Sequence, residues 1–175
     1  MPTFLSLGAA AGRLDGAGAD EADIVFFHPP RADEPLSGRA RTVRDADSRR
    51  LDRTVEYFDS IGRRVAEVYL SGVYLAGAED VPGGFEPAVG ELARCVVDLF
   101  GAANVRRFRV RITGSADGEA TNCTVADLQH YRTDHESVRD VAVVCATTSG
   151  TTIARAWVTV AVPAQSQVAV DGVPA

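Results

Sequence analysis

The sequence predicts an α+β fold in which one mixed β-sheet carries two helices packed on a single face. From residue 54 onward, the predicted elements follow the order β-β-(β)-α-β-α-β-β. Two segments carry the clearest patterns: a helical apolar periodicity over residues 85–101 and a strict alternation over residues 104–114. Strands interleaved with helices and followed by a closing strand pair favour a mixed sheet that is covered on one side.

The composition indicates a soluble globular protein. The chain has 175 residues, of which 46% are hydrophobic and 24% charged, enough for one domain with an ample core. The net charge of −6 argues against a nucleic-acid partner. All 18 basic residues are arginine, which excludes a Schiff-base or P-loop lysine. No signal peptide and no membrane-spanning apolar run is evident, so we expect a cytoplasmic protein with no membrane partner.

Three regions are predicted along the chain. The N-terminal region contains two short candidate strands, at 3–8 and 23–27, and a polar, proline-containing linker over 28–50. The C-terminal "QSQVAVDGVPA" is expected to be loosely ordered. The predicted boundaries are an N-terminal extension at 1–53, the main domain at 54–163 and a flexible tail at 164–175.

The main domain begins with strands and continues with a helix. Residues 54–77 predict two or three short strands, with turns at Ser60–Gly62 and Ser71–Gly72. Pro87 suits the first turn of the following helix, and Gly101 suits its end. The apolar face of this helix consists of Ala88, Leu92, Val96 and Leu99.

The next strand has a basic face and an apolar face. Arg107, Arg109 and Arg111 point to one side, and we expect them to be solvated or paired with Asp and Glu at an interface. The alternative is that they attract an anionic ligand from a neighbouring subunit's pocket. Residues 120–132, "ATNCTVADLQHYR", predict the second helix, with Val125, Leu128 and Tyr131 on one side. Two closing strands are predicted at 139–147 and 152–162, joined by "TSG".

Several short motifs in this order resemble the RidA (YjgF) superfamily of enamine/imine deaminases, of which the chain would be a divergent member. The resemblance covers roughly residues 54–163, and the order and spacing of the motifs carry it. The matching segments are Tyr57 in "EYFDS", "EVYLSG" at 67–72, "ELARCVVDLFGAANVRRFRV" at 91–110, Asn122, and "SVRDVAVV" at 137–144.

The resemblance implies a chorismate-mutase-like fold and a homotrimer with pockets between its subunits. A sheet face carrying Val141, Val143, Trp157 and the three arginines of the basic strand would be covered in such a trimer. Arg139 would hold the carboxylate of a small-molecule substrate through its guanidinium group. The motif positions add Tyr57 and Asn122 to the substrate-binding residues, and Cys145 joins them because it shares a strand face with Arg139.

The catalytic residues stay unassigned. No Asp or Glu occurs between Asp140 and Asp171, whereas the superfamily carries an acid on its last strand, so we expect imine deamination to be weak or absent. Neither the histidines nor the cysteines have the spacing of metal ligands, and no cofactor is expected. The cysteines, Cys95, Cys123 and Cys145, are expected to be buried free thiols.

Other interpretations remain open. Arg139 is alternatively a solvated residue at a strand end, and the protein is alternatively a ligand-binding module without catalysis. A hot-dog thioesterase or dehydratase is a further alternative, because residues 151–163, "TTIARAWVTVAVP", suit its last strand, although no early long helix follows a catalytic Asp or His. A tautomerase with catalytic Pro2 is the weakest, since no helix follows the first strand.

Overall fold

The structure is a computed structural model that describes residues 21–28, 35–44, 50–74 and 85–162. Within these ranges, one antiparallel sheet of eight strands packs against one long helix. The elements are β1 Glu21–Phe26, β2 Ser37–Arg44, β3 Arg50–Phe58, β4 Arg64–Tyr74, α1 Phe85–Phe100, β5 Val105–Ile112, β6 Thr121–Arg132, β7 Ser137–Thr147 and β8 Thr152–Ala161.

The strand order explains why a helix lies in the middle of the chain. The sheet runs β2-β3-β4-β1-β5-β8-β7-β6, and the neighbouring strands pair antiparallel. Strands β4 and β5 lie on either side of β1, and both are antiparallel to it, so they are parallel to each other. Parallel strands need a crossover connection rather than a hairpin, and α1 lies in that connection.

The predicted helix over residues 85–101 is confirmed. Its apolar residues Ala88, Leu92 and Val96 are buried against β5, β7 and β8. Gly101 ends the helix with a φ of 77°, and its N–H donates to the Val97 carbonyl at 2.8 Å. Leu99, which was expected on the buried face, is 58% exposed; the half-buried Phe100 packs against the core instead.

The sheet has an inner face, covered by α1, and an outer face on the opposite side. Val141 and Val143 of β7 are fully buried on the inner face, whereas Trp157 of β8 lies on the outer face and is 41% exposed. The expectation that these three residues share a face is therefore wrong. The expected alternation of β5 is confirmed, with Phe108 and Val110 buried and the arginines on the outer face.

The second predicted helix is wrong, because residues 121–132 form β6. This strand pairs with β7 from Thr121 opposite Thr147 to Arg132 opposite Ser137. A β-bulge between Asp127 and Gln129 inserts one residue, so apolar residues recur at a spacing of three that imitates a helix. The strand lies at the sheet edge, and most of its residues are exposed on both faces, so apolar and polar residues do not alternate along it.

A β-bulge also accounts for a misplaced turn. The turn at Ser60–Gly62 is confirmed, but Ser71–Gly72 lies inside β4. Leu51 pairs with Val73 and Arg53 pairs with Leu70, so β4 carries the extra residue at this point. Gly72 takes a φ of 68° there, which a glycine adopts without strain.

The predicted two-helix, chorismate-mutase-like α+β fold is therefore wrong. In the described ranges the sheet is antiparallel throughout and packs on one α-helix. The closing strands are confirmed as β7 and β8, and the candidate strand at 23–27 corresponds to β1. The expected linker over 28–50 contains β2, while the candidate strand at 3–8 and the tail at 164–175 lie outside the described residues. No helix in the described part of the chain combines the length and apolarity needed to cross a membrane.

Candidate active site

An open groove lies on the outer face, where β5, β8, β7 and β6 run side by side. Its volume is about 250 Å³. The wall includes apolar side chains from β6 and β8, together with an acid and two arginines. The lining residues are Arg107, Arg109, Leu128, Asp140, Trp157, Val158 and Thr159.

Asp140 is held in this groove by hydrogen bonds from three side chains. Thr159 Oγ1 donates to Asp140 Oδ1 at 2.7 Å, and Gln129 Nε2 donates to Oδ2 at 2.7 Å. Tyr131 adds a longer bond of 3.4 Å to Oδ1. A carboxylate offers about four acceptor sites, so these three described donors leave one site for a water molecule or a ligand.

The strand register places these groups together. Asp140 lies opposite Thr159 on β8 and opposite Gln129 on β6, so one row of side chains crosses three adjacent strands. Without the β-bulge between Asp127 and Gln129, Gln129 would point to the inner face. The bulge therefore directs the amide towards the carboxylate.

Two arginines of β5 form one side of the groove. Arg107 binds the carboxylate of Asp23 through Nε, at 2.9 Å, and through Nη2, which raises the pKa of its guanidinium. Arg109 binds Glu21 and lies 5.8 Å from the ring centre of Trp157. The expected pairing with acids is confirmed for both. The Arg107–Asp23 pair leaves Nη1 of Arg107 unused.

Arg139 lies on the other side of the sheet from the groove. Its guanidinium stacks over the ring of Phe100, 4.9 Å from the ring centre, at the C-terminal end of α1. Nη1 lies 3.4 Å from the carboxylate of Asp127, and no residue in the described ranges accepts a hydrogen bond from the buried Nε. Since successive residues of a strand alternate in direction, Asp140 rather than Arg139 enters the groove.

The other expected substrate-binding residues lie apart. Tyr57 is buried on the inner face of β3, where burial raises the pKa of its hydroxyl, and four strands separate β3 from β7. Asn122 is exposed on the edge strand β6, and Cys145 is fully buried on the inner face of β7. Within the described chain, the structure does not bring Tyr57, Asn122, Arg139 and Cys145 together.

The three cysteines converge beneath α1. Cys123 of β6 lies opposite Cys145 of β7, and Cys95 of α1 adds a third thiol. Burial, followed by the neighbouring Cys145 and Cys95 thiols, raises the pKa of Cys123 to about 12. Burial is also the main cause of the raised pKa of Cys95. Thiols with raised pKa values are poor nucleophiles, which argues against a catalytic role for this cluster.

Comparison with known proteins bears on the fold. No protein-family model matches the sequence, and no curated protein matches it. Among solved structures, the tesB protein MAP1729c of Mycobacterium avium subsp. paratuberculosis is similar with a TM-score of 0.68 at 10% identity, over 93% of this chain and 86% of that one. The chain has the hot-dog fold.

Two further solved structures are similar to this chain in fold. The 12:0-ACP thioesterase of Umbellularia californica has a TM-score of 0.59 at 8% identity, over 82% of this chain and 72% of that one. A MaoC-like dehydratase of Phytophthora capsici has a TM-score of 0.55 at 12% identity, over 83% and 72%. The resemblance to the RidA superfamily is therefore wrong, and the trimer inferred from it loses its basis. The hot-dog alternative is the one that the fold supports.

Proposed function

We propose that this chain hydrolyses an acyl thioester in the outer-face groove, with Asp140 as the general base. The observation that carries the proposal is the Asp140 carboxylate, held by Thr159 and Gln129 in an open groove of about 250 Å³. An oriented acid in a concave site is the arrangement that general-base catalysis requires. Structures named as thioesterases share the fold at low identity, which supports the reaction class.

The reaction needs one water molecule and no redox partner. The free acceptor site of Asp140 takes a proton from water, and the hydroxide attacks the thioester carbonyl carbon. The carbon–sulfur bond then breaks, and the proton passes from Asp140 to the departing thiolate. The products are a carboxylic acid and a thiol. Thr159 and Gln129 keep the carboxylate turned towards the water during these steps.

The arginines and the apolar wall have separate roles in this proposal. Negative charge develops on the carbonyl oxygen as hydroxide attacks, and a positioned cation stabilises it. Arg107 supplies that cation, since Nη1 is not used in its pair with Asp23. Leu128 of β6 and Trp157, which lies beside Arg109, give the acyl chain an apolar surface.

Thiol release from a substrate panel tests the proposal. The purified protein is incubated with acyl-coenzyme A thioesters of graded chain length and with acyl-N-acetylcysteamine thioesters, and thiol and acid are measured together. We expect equal amounts of thiol and acid, well above the uncatalysed rate. No thiol release from any thioester overturns the proposal. Binding without turnover indicates a ligand-binding module, and consumption of a 2-enoyl thioester without thiol release indicates a dehydratase.

A further inference from the structure

Two arginines face each other on the outer face next to the groove. Arg111 of β5 lies directly opposite Arg155 of β8, and both side chains are exposed. Like charges opposite each other on neighbouring strands are destabilising unless an anion lies between them. Across the ranges that the structure describes, neither arginine forms an ion pair.

The neighbouring arginines differ in this respect. Arg107 and Arg109, on the same face of β5, each bind a carboxylate of β1. Glu21 is opposite Arg111 in the strand register, but its carboxylate binds Arg109. The acids of β1 therefore neutralise the arginines of the groove, and no acid among the described residues pairs with Arg111 or Arg155.

The position of this pair relates it to Asp140. Arg155 precedes Thr159 by four residues on β8, which is about 14 Å along a strand. Between them, Trp157 lies opposite the small side chain of Ala142, and Ala142 lies opposite Ala126. The small side chains of Ala142 and Ala126 leave a shallow path along β7 and β6, beside Trp157, for a linear ligand that runs from Asp140 towards the arginine pair.

We propose that Arg111 and Arg155 bind the phosphate group of a phosphopantetheine arm whose thioester lies at Asp140. This inference rests on the proposed thioester hydrolysis. Phosphopantetheine has a thiol at one end and a phosphate at the other, and two guanidinium groups match a phosphate in charge and in hydrogen-bond geometry. Coenzyme A and holo-carrier proteins both contain phosphopantetheine, so either of them can supply the phosphate group that this site binds.

Equilibrium binding tests the site without requiring turnover. Titration calorimetry compares phosphopantetheine with pantetheine, which lacks the phosphate, at low ionic strength. We expect tighter binding of phosphopantetheine. Arg111→Gln and Arg155→Gln each weaken it about tenfold, the loss of one charged hydrogen bond, and leave pantetheine binding unchanged. Arg94→Gln, at an exposed arginine of α1, is the matched control and changes neither affinity. Equal affinities of the wild-type protein for the two ligands, or no binding of either, overturn the inference.

Three further measurements distinguish coenzyme A from a carrier protein as the source of the phosphate, and distinguish failure of the phosphate site from failure of thioester hydrolysis. Coenzyme A and a holo-carrier protein are titrated in parallel, and the one that loses affinity in the arginine variants is the source of the phosphate. Inorganic phosphate that binds as tightly as phosphopantetheine would show an anion site unconnected with the groove and would overturn the inference. Hydrolysis of an acyl-N-acetylcysteamine thioester, which has no phosphate, requires the groove around Asp140 but not the arginine pair. If the wild-type protein binds phosphopantetheine more tightly than pantetheine but does not hydrolyse this thioester, only the proposed reaction is refuted.

Discussion

The carboxylate of Asp140 accepts a 2.7 Å hydrogen bond from Oγ1 of Thr159, the residue directly opposite it on β8. This bond fixes one carboxylate oxygen, while Gln129 fixes the other. The pair is on the outer face, away from the helix-covered core, so its arrangement follows from strand register rather than from packing. Loss of either donor leaves the acid in place but free to turn.

Thr159→Val is expected to reduce thioester turnover about tenfold, because it keeps the β-branched shape and removes the hydroxyl that orients Asp140. The melting temperature is expected to change little. Turnover is measured by thiol release, and Thr124→Val, at an exposed threonine on β6, is the control. Equal turnover in the Thr159 variant and the wild-type protein would show that this hydrogen bond does not orient the base.

Arg139→Ala is expected to lower the free energy of unfolding by about 1–2 kcal/mol and to leave thioester hydrolysis unchanged. The side chain stacks on Phe100 and pairs with Asp127, and both contacts lie on the inner face, away from the groove. Urea denaturation measures the loss, and Arg139→Met, which keeps the apolar stem, is expected to recover part of it. Lost hydrolysis with unchanged stability would instead return Arg139 to the role of a substrate anchor.

The ion pair between Glu136 and Arg106 is expected to make stability depend on pH. Arg106 binds both carboxylate oxygens, at 2.7 and 2.8 Å, and these hydrogen bonds lower the pKa of Glu136. Because the pKa is lower in the folded state, the stabilisation is present above the pKa of an unfolded glutamate. It is lost as the pH falls through the folded value.

Glu136→Gln should therefore reduce the free energy of unfolding at neutral pH by about 0.5–1 kcal/mol, a modest amount because both side chains are partly exposed. The difference from the wild-type protein should shrink as the solution is acidified. Urea denaturation over a pH series measures it, with Glu119→Gln, at an exposed glutamate, as the control. A difference that stays constant down to acidic pH would show that ionisation of Glu136 is not its source.

Cys123 is expected to react slowly with a maleimide in the native protein. Its pKa of about 12 leaves almost no thiolate at neutral pH, and the thiolate is the reactive form. Peptide mapping by mass spectrometry follows modification of each cysteine over time, with the same protein in denaturant as the reference. Rapid labelling of Cys123 without denaturant would show that the thiol cluster opens under native conditions.

Long and regular apolar patterns in the sequence predicted the local structure correctly at two segments. The helix at residues 85–101 and the alternating strand of Phe108 and Val110 have long, regular apolar periods. The prediction failed at β6, where a β-bulge changes the period and edge exposure removes the alternation. It failed again at the level of the fold, since short motifs in a matching order do not determine how strands pair across the sheet.

The candidate site was harder to predict, although one signal was present. Arg139 has the same parity as Val141, Val143 and Cys145, which form the buried face of β7, so the alternation already directed Asp140 to the opposite side. Asp140 directly precedes the acid-free residues 141–170, so an acid expected on the last strand does not include it. The partners Gln129 and Thr159 come from neighbouring strands, and only the register and the bulge reveal them.

Thioester hydrolysis by Asp140→Asn tests the central claim most directly. Asparagine keeps the size of the side chain and removes its ability to accept a proton. We predict that kcat falls about 10²–10⁴-fold while KM and the melting temperature stay close to those of the wild-type protein. Asp98→Asn, at an exposed acid of α1, serves as the control. A kcat for Asp140→Asn equal to that of the wild-type protein and of Asp98→Asn would contradict the assignment of Asp140 as the base.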